Sequence, residues 1–540
     1  MLRSALLTCI LDSSITSYLF IVIVVFGAVH RFLAVILKRK VPLPSSSGGS
    51  RPSLPGPRGL PLVGNLLSLV GADAIFHLKL TGWAKKYGGI YRLSLGSSEA
   101  VILSDPAMIR EAFKMEQFSA RPDMLFVKQI VNGNGLIFSE GDLWKEQRRF
   151  ALQQMRHFGM YRLAAEEDQL TQKIHGEIQE FMHVLDEYKE TAVDLDQLLS
   201  RMIGNILCTT ICGKRFEYSD PTFLRCLDTM EEGSKLVKLA MGINYLPVLR
   251  SIPMMNAIFL KIKSNNLATK AFFRSLISER AETMEPGISR DFVDAYLHQI
   301  QKLRDDETFD ASFFTDAQMM QCVIDLFGAG MDTTKTSLQW AFLYMALHPH
   351  VQERVQEELD RIVGTDRSPT MDDQKDLKFT EATICEILRC SSVFPLGMPH
   401  EATEDTMFRG FTVPKGATIF SNLYAVHNDE TLWKHPAEFN PERFLVNGQV
   451  EKPSFFMPFS TGRRVCLGDQ LAKAEMFLVI TSVLQRFHLA TPSAEPKPDA
   501  SGVLGMSLKP KPHRLIATPR KTSVAGSPNG KGSPVECSEK

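Results

Sequence analysis

The chain has 540 residues, 44% of them apolar and 23% charged, an ordinary globular composition with more than enough length for a packed core. Its 61 basic and 61 acidic side chains cancel, so the bulk charge gives no reason to expect a nucleic-acid partner. Nine irregularly spaced cysteines include no CxxC pair, which argues against zinc-ribbon and thioredoxin-like chemistry and fits a reducing compartment.

The first element is apolar. ITSYLFIVIVVFGAVHRFLAVIL runs from Ile15 to Leu37. At about 1.5 Å per residue it is long enough to cross a bilayer core of about 30 Å. Lys38, Arg39, Lys40, Arg51 and Arg58 follow it and only Arg3 precedes it, so the positive-inside rule puts everything after Leu37 in the cytosol. A cleaved signal peptide is the competing reading; the long apolar run and the basic stop-transfer cluster favour an anchor. Residues 1–40 are therefore read as a single-pass membrane anchor. Residues 41–59, rich in Pro, Ser and Gly, read as a linker. Residues 60–518 contain no clear linker and read as one domain, and 519–540, almost without apolar side chains, as a disordered tail.

The body is mainly helical, with short strand patterns at IYRLSL (Ile90–Leu95), AVILSD (Ala100–Asp105) and ATIFSN (Ala417–Asn422). Strands and helices do not alternate regularly, so no parallel nucleotide-binding sheet is expected. The GxG of FGAGMD lies inside a helical pattern, and no Walker loop or GxSxG elbow is present. WKEQR sets Trp144 and Arg148 four apart on one helix face, with Lys145 and Arg149 beside them as candidates for a basic docking face or simply a solvated one. Met319 to Leu347 reads as one long, largely buried helix. Its interior Gly328 and Gly330 each cost about 1 kcal/mol of helix stability, and a packing notch would explain them. EILR gives Glu386 and Arg389 at i,i+3, by itself an ordinary ion pair.

The densest pattern comes near the end, in PFSTGRRVCLGDQLAKAEMFLVI, Pro458 to Ile480. Cys466 stands just before a helix whose apolar face carries Leu471, Ala474, Leu478 and Val479. Positive charge and a helix N-terminus favour a thiolate, and a thiolate is a strong donor to soft or borderline metals. Gly462 and Gly468 allow the loop to approach a flat group closely, Arg464 offers a fork for a carboxylate, and Phe459 offers an aromatic face. One axial thiolate, one arginine and a close loop describe haem held by cysteine; a buried structural cysteine is the bland alternative.

FxxGxRxCxG, read as Phe459, Gly462, Arg464, Cys466 and Gly468, is similar to the haem loop of the cytochrome P-450 superfamily of haem-thiolate monooxygenases, microsomal class. The resemblance covers essentially the whole chain after the anchor, through LPGPRGLP, WKEQR, AGMDTT, EILR and PERF in the family's order. It implies a mainly α fold with small β-sheets, a single haem domain, and haem b with Cys466 as the metal ligand. It also implies cofactor contacts from Phe459, Gly462, Arg464 and Gly468, and propionate contacts from Arg121, Trp144, Arg148 and His400. Asp332 and Thr333 would be the acid–alcohol pair that delivers protons during reduction of dioxygen, with Gly328 and Gly330 making room beside them. Glu386, Arg389 and Arg443 would form a buried structural triad. With no flavin or iron–sulfur motif, electrons would come from NADPH–cytochrome P-450 reductase, with cytochrome b5 as a further partner. The protein would sit in the endoplasmic reticulum membrane with its catalytic domain in the cytosol.

Two other classes share the fold: a peroxide-using isomerase or dehydratase, against which the Asp332–Thr333 pair argues, and a haem-binding carrier or sensor. The pocket should be lined by Pro122 to Gly135, by Phe327, Ala329 and Thr333, by Phe394 to Gly397 including Leu396, and by Val503 to Met506 including Leu504. These are mainly apolar, so the substrate should be a lipophilic small molecule. LWKEQRRFALQQMRHFGM, VIDLFGAGMDTTKTSLQW and RCSSVFPLG most resemble arthropod hydroxylases of the family-2 clan that act on ecdysteroid moulting hormones; fatty-acid and xenobiotic hydroxylases share most of these residues.

Overall fold

The computed structural model describes residues 53–69, 76–158, 169–305 and 313–520. The anchor, most of the linker and nearly all of the C-terminal tail lie outside these residues. No helix among the described residues is long and apolar enough to cross a membrane.

Helices dominate. In chain order they are α1 (Phe76–Tyr87), α2 (Pro106–Ala112), α3 (Leu125–Ile130), α4 (Gly141–His157), α5 (Gln169–Glu187), α6 (Asp196–Cys212), α7 (Pro221–Tyr245), α8 (Pro253–Glu282) and α9 (Phe292–Asp305). They continue with α10 (Asp316–Leu347), α11 (Pro349–Ile362), α12 (Lys378–Ser391), α13 (Leu423–His427) and α14 (Asp469–Arg486). Several begin where the sequence supplies a cap. Asp105 and Asp220 each accept amide hydrogen bonds from the first turn and are followed by proline, and Thr315 accepts from the Gln318 amide. Left-handed Gly213 ends α6, and left-handed Ser392 ends α12.

Strands β1 (Ile90–Leu95), β2 (Ser98–Leu103), β3 (His400–Glu401) and β6 (Thr418–Ser421) form one sheet in the order β1-β2-β6-β3. The second strand starts earlier than its apolar run suggests, because a tight turn at Gly96 lets Ser98 pair with Leu95. β2 and β6 run parallel, Ala100 opposite Thr418 through Leu103 opposite Ser421. β3 is antiparallel to β6 and brings His400 beside residues 118–121. The other sheets are two-stranded: β4 (Thr406–Phe408) with β5 (Phe411–Val413), β7 (Leu445–Val446) with β8 (Gln449–Val450), β9 (Phe487–Ala490) with β12 (Ile516–Pro519), and β10 (Val503–Leu504) with β11 (Leu508–Lys509). The packed body reaches back to Leu54, which is buried, while the Pro55 carbonyl accepts from the Arg92 amide at the sheet edge.

α10 runs through the main core and packs on α6, α8, α12 and α14. Trp340, Phe342 and Phe327 on it are fully buried, each such side chain stabilising the fold by roughly 1.5–3 kcal/mol. Its first half also pins the loop that precedes α4. Asp325 Oδ2 accepts from the Leu136 and Ile137 amides at 2.7 and 2.9 Å, and Gln318 pairs with both the amide and the carbonyl of Gly135 at 3.0 Å. Gly135 has φ +89°, and a Cβ there would collide with Asp325. Burial pushes the Asp325 carboxyl up to about 6 despite those amides.

Asp325→Ala strands two part-buried amides, and at up to roughly 1–3 kcal/mol for each it should lower the urea midpoint and speed hydrogen exchange across residues 133–139. Unchanged exchange in that loop would show that α10 does not hold it.

Candidate active site

The loop before α14 is shaped by its glycines and its backbone. Gly462 has φ +80°, and a Cβ there would collide with the Phe113 carbonyl oxygen, which also accepts from the Arg463 amide at 2.9 Å. The Cys466 amide donates to the Phe459 carbonyl at 3.1 Å. The loop therefore turns tightly around Cys466 and leaves its side chain exposed. Gly468, at the N-cap of α14, has open space where a Cβ would lie. The Phe459 ring is covered by Lys473 at 5.0 Å. The thiol opens into a recess enclosed by the surrounding fold, and poor solvation there raises its pKa, while the Gly468 amide, Arg148 and Lys473 act in the opposite direction.

Beside the loop, three arginines and a histidine from four segments converge. Arg464 donates to the carbonyls of Ser119 and Ser139 at 2.8 and 2.7 Å, and its guanidinium lies 4.0 Å from the Trp144 ring centre. Arg121 donates to Ile137 and Pro399 at 3.0 and 2.8 Å. Arg148 donates to the Val465 carbonyl, next to Cys466, at 2.6 Å. His400 stacks on Phe113 at 3.9 Å and donates through Nδ1 to the Phe118 carbonyl at 2.6 Å. Burial, with Arg121 and Arg464 nearby, pushes its pKa down to about 3, so the ring is neutral. Burial and mutual repulsion likewise depress Arg121 and Arg464, and the carboxylate whose charge opposes this is Glu140 alone. An excess of buried guanidinium groups, beside a loop with room over Gly468 and an open thiol, fits a flat group carrying carboxylates.

The family model for cytochrome P450 matches residues 54–517. The chain belongs to the cytochrome P450 family. Similar proteins include Cytochrome P450 18a1 of Drosophila melanogaster, 38% identical over 466 residues that cover 85% of this chain and 86% of that protein. Cytochrome P450 2J3 of Rattus norvegicus is 37% identical over 468 residues, covering 86% and 91%. Cytochrome P450 2U1 of Mus musculus is 34% identical over 488 residues, covering 86% and 90%. Cytochromes P450 are monooxygenases that use haem with an axial cysteine thiolate, and this chain is one of them. Microsomal members take electrons from NADPH–cytochrome P450 reductase and act on lipophilic substrates.

On α10 of this P450, Thr333 Oγ1 donates to the Ala329 carbonyl at 2.7 Å. The neighbouring Asp332 turns elsewhere. Its Oδ2 accepts from Ser507 Oγ and its Oδ1 pairs with Lys509 Nζ, both at 2.7 Å. Gly328 and Gly330 do not need a ligand to explain them. A Cβ at Gly330 would lie 3.0 Å from Leu207 of α6, and one at Gly328 3.2 Å from Met230 of α7, so helix packing accounts for both. The exposed position of this turn is Ala329.

The residues expected to line the pocket differ in exposure. Phe327 is fully buried with its ring 5.1 Å from Phe273, so it belongs to the core and not to a pocket. Leu396 is buried against the sheet with Phe420, and Gly397, at φ +57°, is buried against Ser421. Both stand behind the wall. Ala329 and half-buried Leu504 remain accessible, as do Val503 and Met506 beside Leu504.

Away from the thiol, Glu386 accepts from Arg389 at 2.7 and 2.8 Å and from Arg443 at 2.9 Å. Arg389 also donates to the His427 and Pro436 carbonyls, and Arg443 to those of Lys434 and Glu438. These contacts tie α12 to the segment leading into the cysteine loop, and the charges are hydrogen-bonded throughout. Lys145 and Arg149 are exposed on α4, but Lys145 is paired with Glu116 and Asp142, and Arg149 with Glu146. That face is therefore less basic than its lysines and arginines alone suggest.

Sequence reasoning missed Ser507 and Lys509, which hold Asp332, and Glu475, buried on α14 with Oε1 lacking a partner. Burial pushes the Glu475 carboxyl up to about 8, against a hydrogen bond with Thr334. Its ionised form is thus disfavoured in the fold, so the penalty is absent below pH 4.5 and grows as pH rises towards 8. Glu475→Gln should therefore gain stability over the native chain as pH rises through that window, by on the order of a few kcal/mol at its upper end. Thermal unfolding across the window checks this; a pH-independent difference would refute it.

Proposed function

We propose that this P450 inserts oxygen into the side chain of an ecdysteroid-like, polyhydroxylated sterol, with Cys466 as the axial thiolate. The observation that carries the site assignment is the Cys466 thiol, open at the head of α14 and flanked by buried guanidinium groups. Bound there, haem would supply activation of dioxygen with electrons from the reductase. The chain's own residues do the rest. Arg121, Arg148, Trp144 and Arg464 bind and orient the carboxylates. His400 spends its Nδ1 proton on the Phe118 carbonyl, so it can donate to a carboxylate through Nε2 only by gaining a second proton.

Thr333 Oγ1, donating to the Ala329 carbonyl, presents its oxygen as an acceptor and can receive a proton there. Asp332, one residue away, is the carboxyl that would relay protons from solvent. Exposed Ala329, Val503 and Met506 offer the apolar contact a lipophilic ring system needs. What supports the sterol is the resemblance of the stretches around Trp144, Thr333 and Phe394 to ecdysteroid hydroxylases, together with the insect relative at 38% identity. A general lipophile oxidase is the second reading, since vertebrate relatives match as much of the chain at nearly the same identity. The basic cluster after Leu37 supports a tether in the endoplasmic reticulum membrane with the body in the cytosol, and the resemblance to microsomal members supports cytochrome b5 as a second electron donor.

Cys466→Ala should abolish the red-shifted Soret band of the reduced carbonyl complex; a variant that keeps the band refutes the ligand. For the substrate, ecdysteroids, fatty acids and a drug panel titrated into the ferric protein should show a low-to-high spin shift with ecdysteroids, followed by side-chain hydroxylation once reductase is added. Binding and turnover of fatty acids or drugs alone would leave the general oxidase standing instead.

A further inference from the structure

Ser392, where α12 ends, and Ser460, inside the cysteine loop, both hold the left-handed backbone conformation, at φ +37° and +63°. Glycine adopts that conformation freely and other residues resist it. Such strain persists where the surrounding contacts over-determine it. At Ser392 those contacts are plain. Its Oγ donates to the Arg389 carbonyl at 2.9 Å and lies 3.0 Å from His427 Nδ1.

His427, the last residue of α13, is fully buried, and its ring is engaged at both nitrogens. Nε2 accepts from the Met457 amide at 3.3 Å. The single proton of a neutral imidazole must then sit on Nδ1 and go to Ser392 Oγ, whose own proton goes to the Arg389 carbonyl, so the three bonds run one way. Burial, and after it the charge of Arg389, push the pKa of the ring down to about 3, which keeps it neutral. Arg389 also donates to the His427 carbonyl at 2.8 Å, so α12 grips this residue by backbone and by ring.

Met457, itself buried, stands where the cysteine loop begins. Its carbonyl accepts from the Ser460 amide at 3.0 Å, closing a turn that contains Phe459. The Phe459 carbonyl in turn accepts from the Cys466 amide at 3.1 Å. A continuous route therefore leads from Ser392 to Cys466, and the His427 ring is the step that crosses from α12 to the loop. Glycine would suit the backbone of residue 392 better, but it would remove the hydroxyl that fixes that ring.

We propose that Ser392 and His427 are positioning residues for the axial thiolate: they fix Met457, and through it the turn whose Phe459 carbonyl holds the Cys466 amide. The proposal rests on the reading of Cys466 as the axial ligand. Neither residue passes on a proton; the pair acts by geometry.

The test uses the full-length holoenzyme. His427→Phe keeps a flat ring in the same space and loses both bonds. In the reduced carbonyl complex, the ratio of the thiolate-free band to the red-shifted band should rise about tenfold, the size of one buried amide left without an acceptor. His427→Gln, whose carboxamide supplies one acceptor and one donor, should restore most of the red-shifted band. Ser392→Gly, which relaxes the backbone, should raise the same ratio about threefold without lowering the thermal midpoint. Apart from the haem spectrum, hydrogen exchange across residues 456–466 should quicken in His427→Phe while that across α6 stays native. If Cys466→Ala keeps the red-shifted band, the axial reading falls and takes the proposal with it. If Cys466→Ala loses the band while His427→Phe and Ser392→Gly leave the ratio and the loop exchange unchanged, the axial reading stands and the proposal is overturned. A His427→Gln variant no better than His427→Phe would make ring shape the requirement in place of the bonds. Exchange that quickens as much in α6 as in the loop would make the contact a general part of the fold. Either result overturns the proposal. Should His427→Phe fail to take up haem, His427→Gln and Ser392→Gly decide on the same terms.

Discussion

Arg464 is buried against Trp144 with Arg121 and Arg148 close by, and three like charges at that depth repel one another. The protein answers with backbone. Carbonyls from residues 119, 137, 139, 398, 399 and 465 all turn towards the guanidinium groups. Those six positions belong to the segment before α3, the segment before α4, the segment before β3 and the cysteine loop. Much of the layout around the active site follows from this arrangement: α4 must present Trp144 inward, β3 must pair with β6, and Gly462 must take a positive φ so that the loop can lie on Phe113. Because the repulsion is relieved only in part by Glu140, the cluster is suited to the carboxylates of a bound cofactor, and a cofactor that supplied them would stabilise these segments together.

How much of this could be read from the sequence depends on how far apart the cooperating residues lie. Phe459, Gly462, Arg464, Cys466 and Gly468 fall within one loop, and each is there for a local reason, so residue chemistry alone points to a thiolate-held flat group. The long central helix is equally legible. Its start at Asp316, a few residues before the apolar run, is set by the Thr315 cap. Arg121, Trp144 and His400 carry no local signal, since each is an ordinary residue until chain segments nearly 300 positions apart are brought together; only family resemblance suggests them.

The pocket wall shows the opposite failure. Phe327 and Ala329 are both apolar residues on the same helix, and periodicity cannot decide which apolar stripe meets a cavity when the helix is buried nearly all round. Phe327 turns to Phe273 and the core, and Ala329 to open space. The glycines mislead for a related reason: a small residue makes room, but the sequence does not say for what, and here Leu207 and Met230 take the room. Ser507 and Lys509 are invisible at this level because two-residue strands have no pattern to detect.

The parallel pairing of β2 with β6 joins residue 100 to residue 418. The chain therefore makes its N-terminal strands, including the apolar run Val101–Leu103, some 318 residues before their central partner exists. On a ribosome adding about 5–20 residues per second, that is a wait of tens of seconds with an unpaired hydrophobic edge, and closing so long a loop slows the search further. The sheet that places His400 beside the arginines is among the last parts of the fold to form. Until the final quarter of the chain emerges, the apolar face of β2 has no strand of its own sheet to lie against on that side.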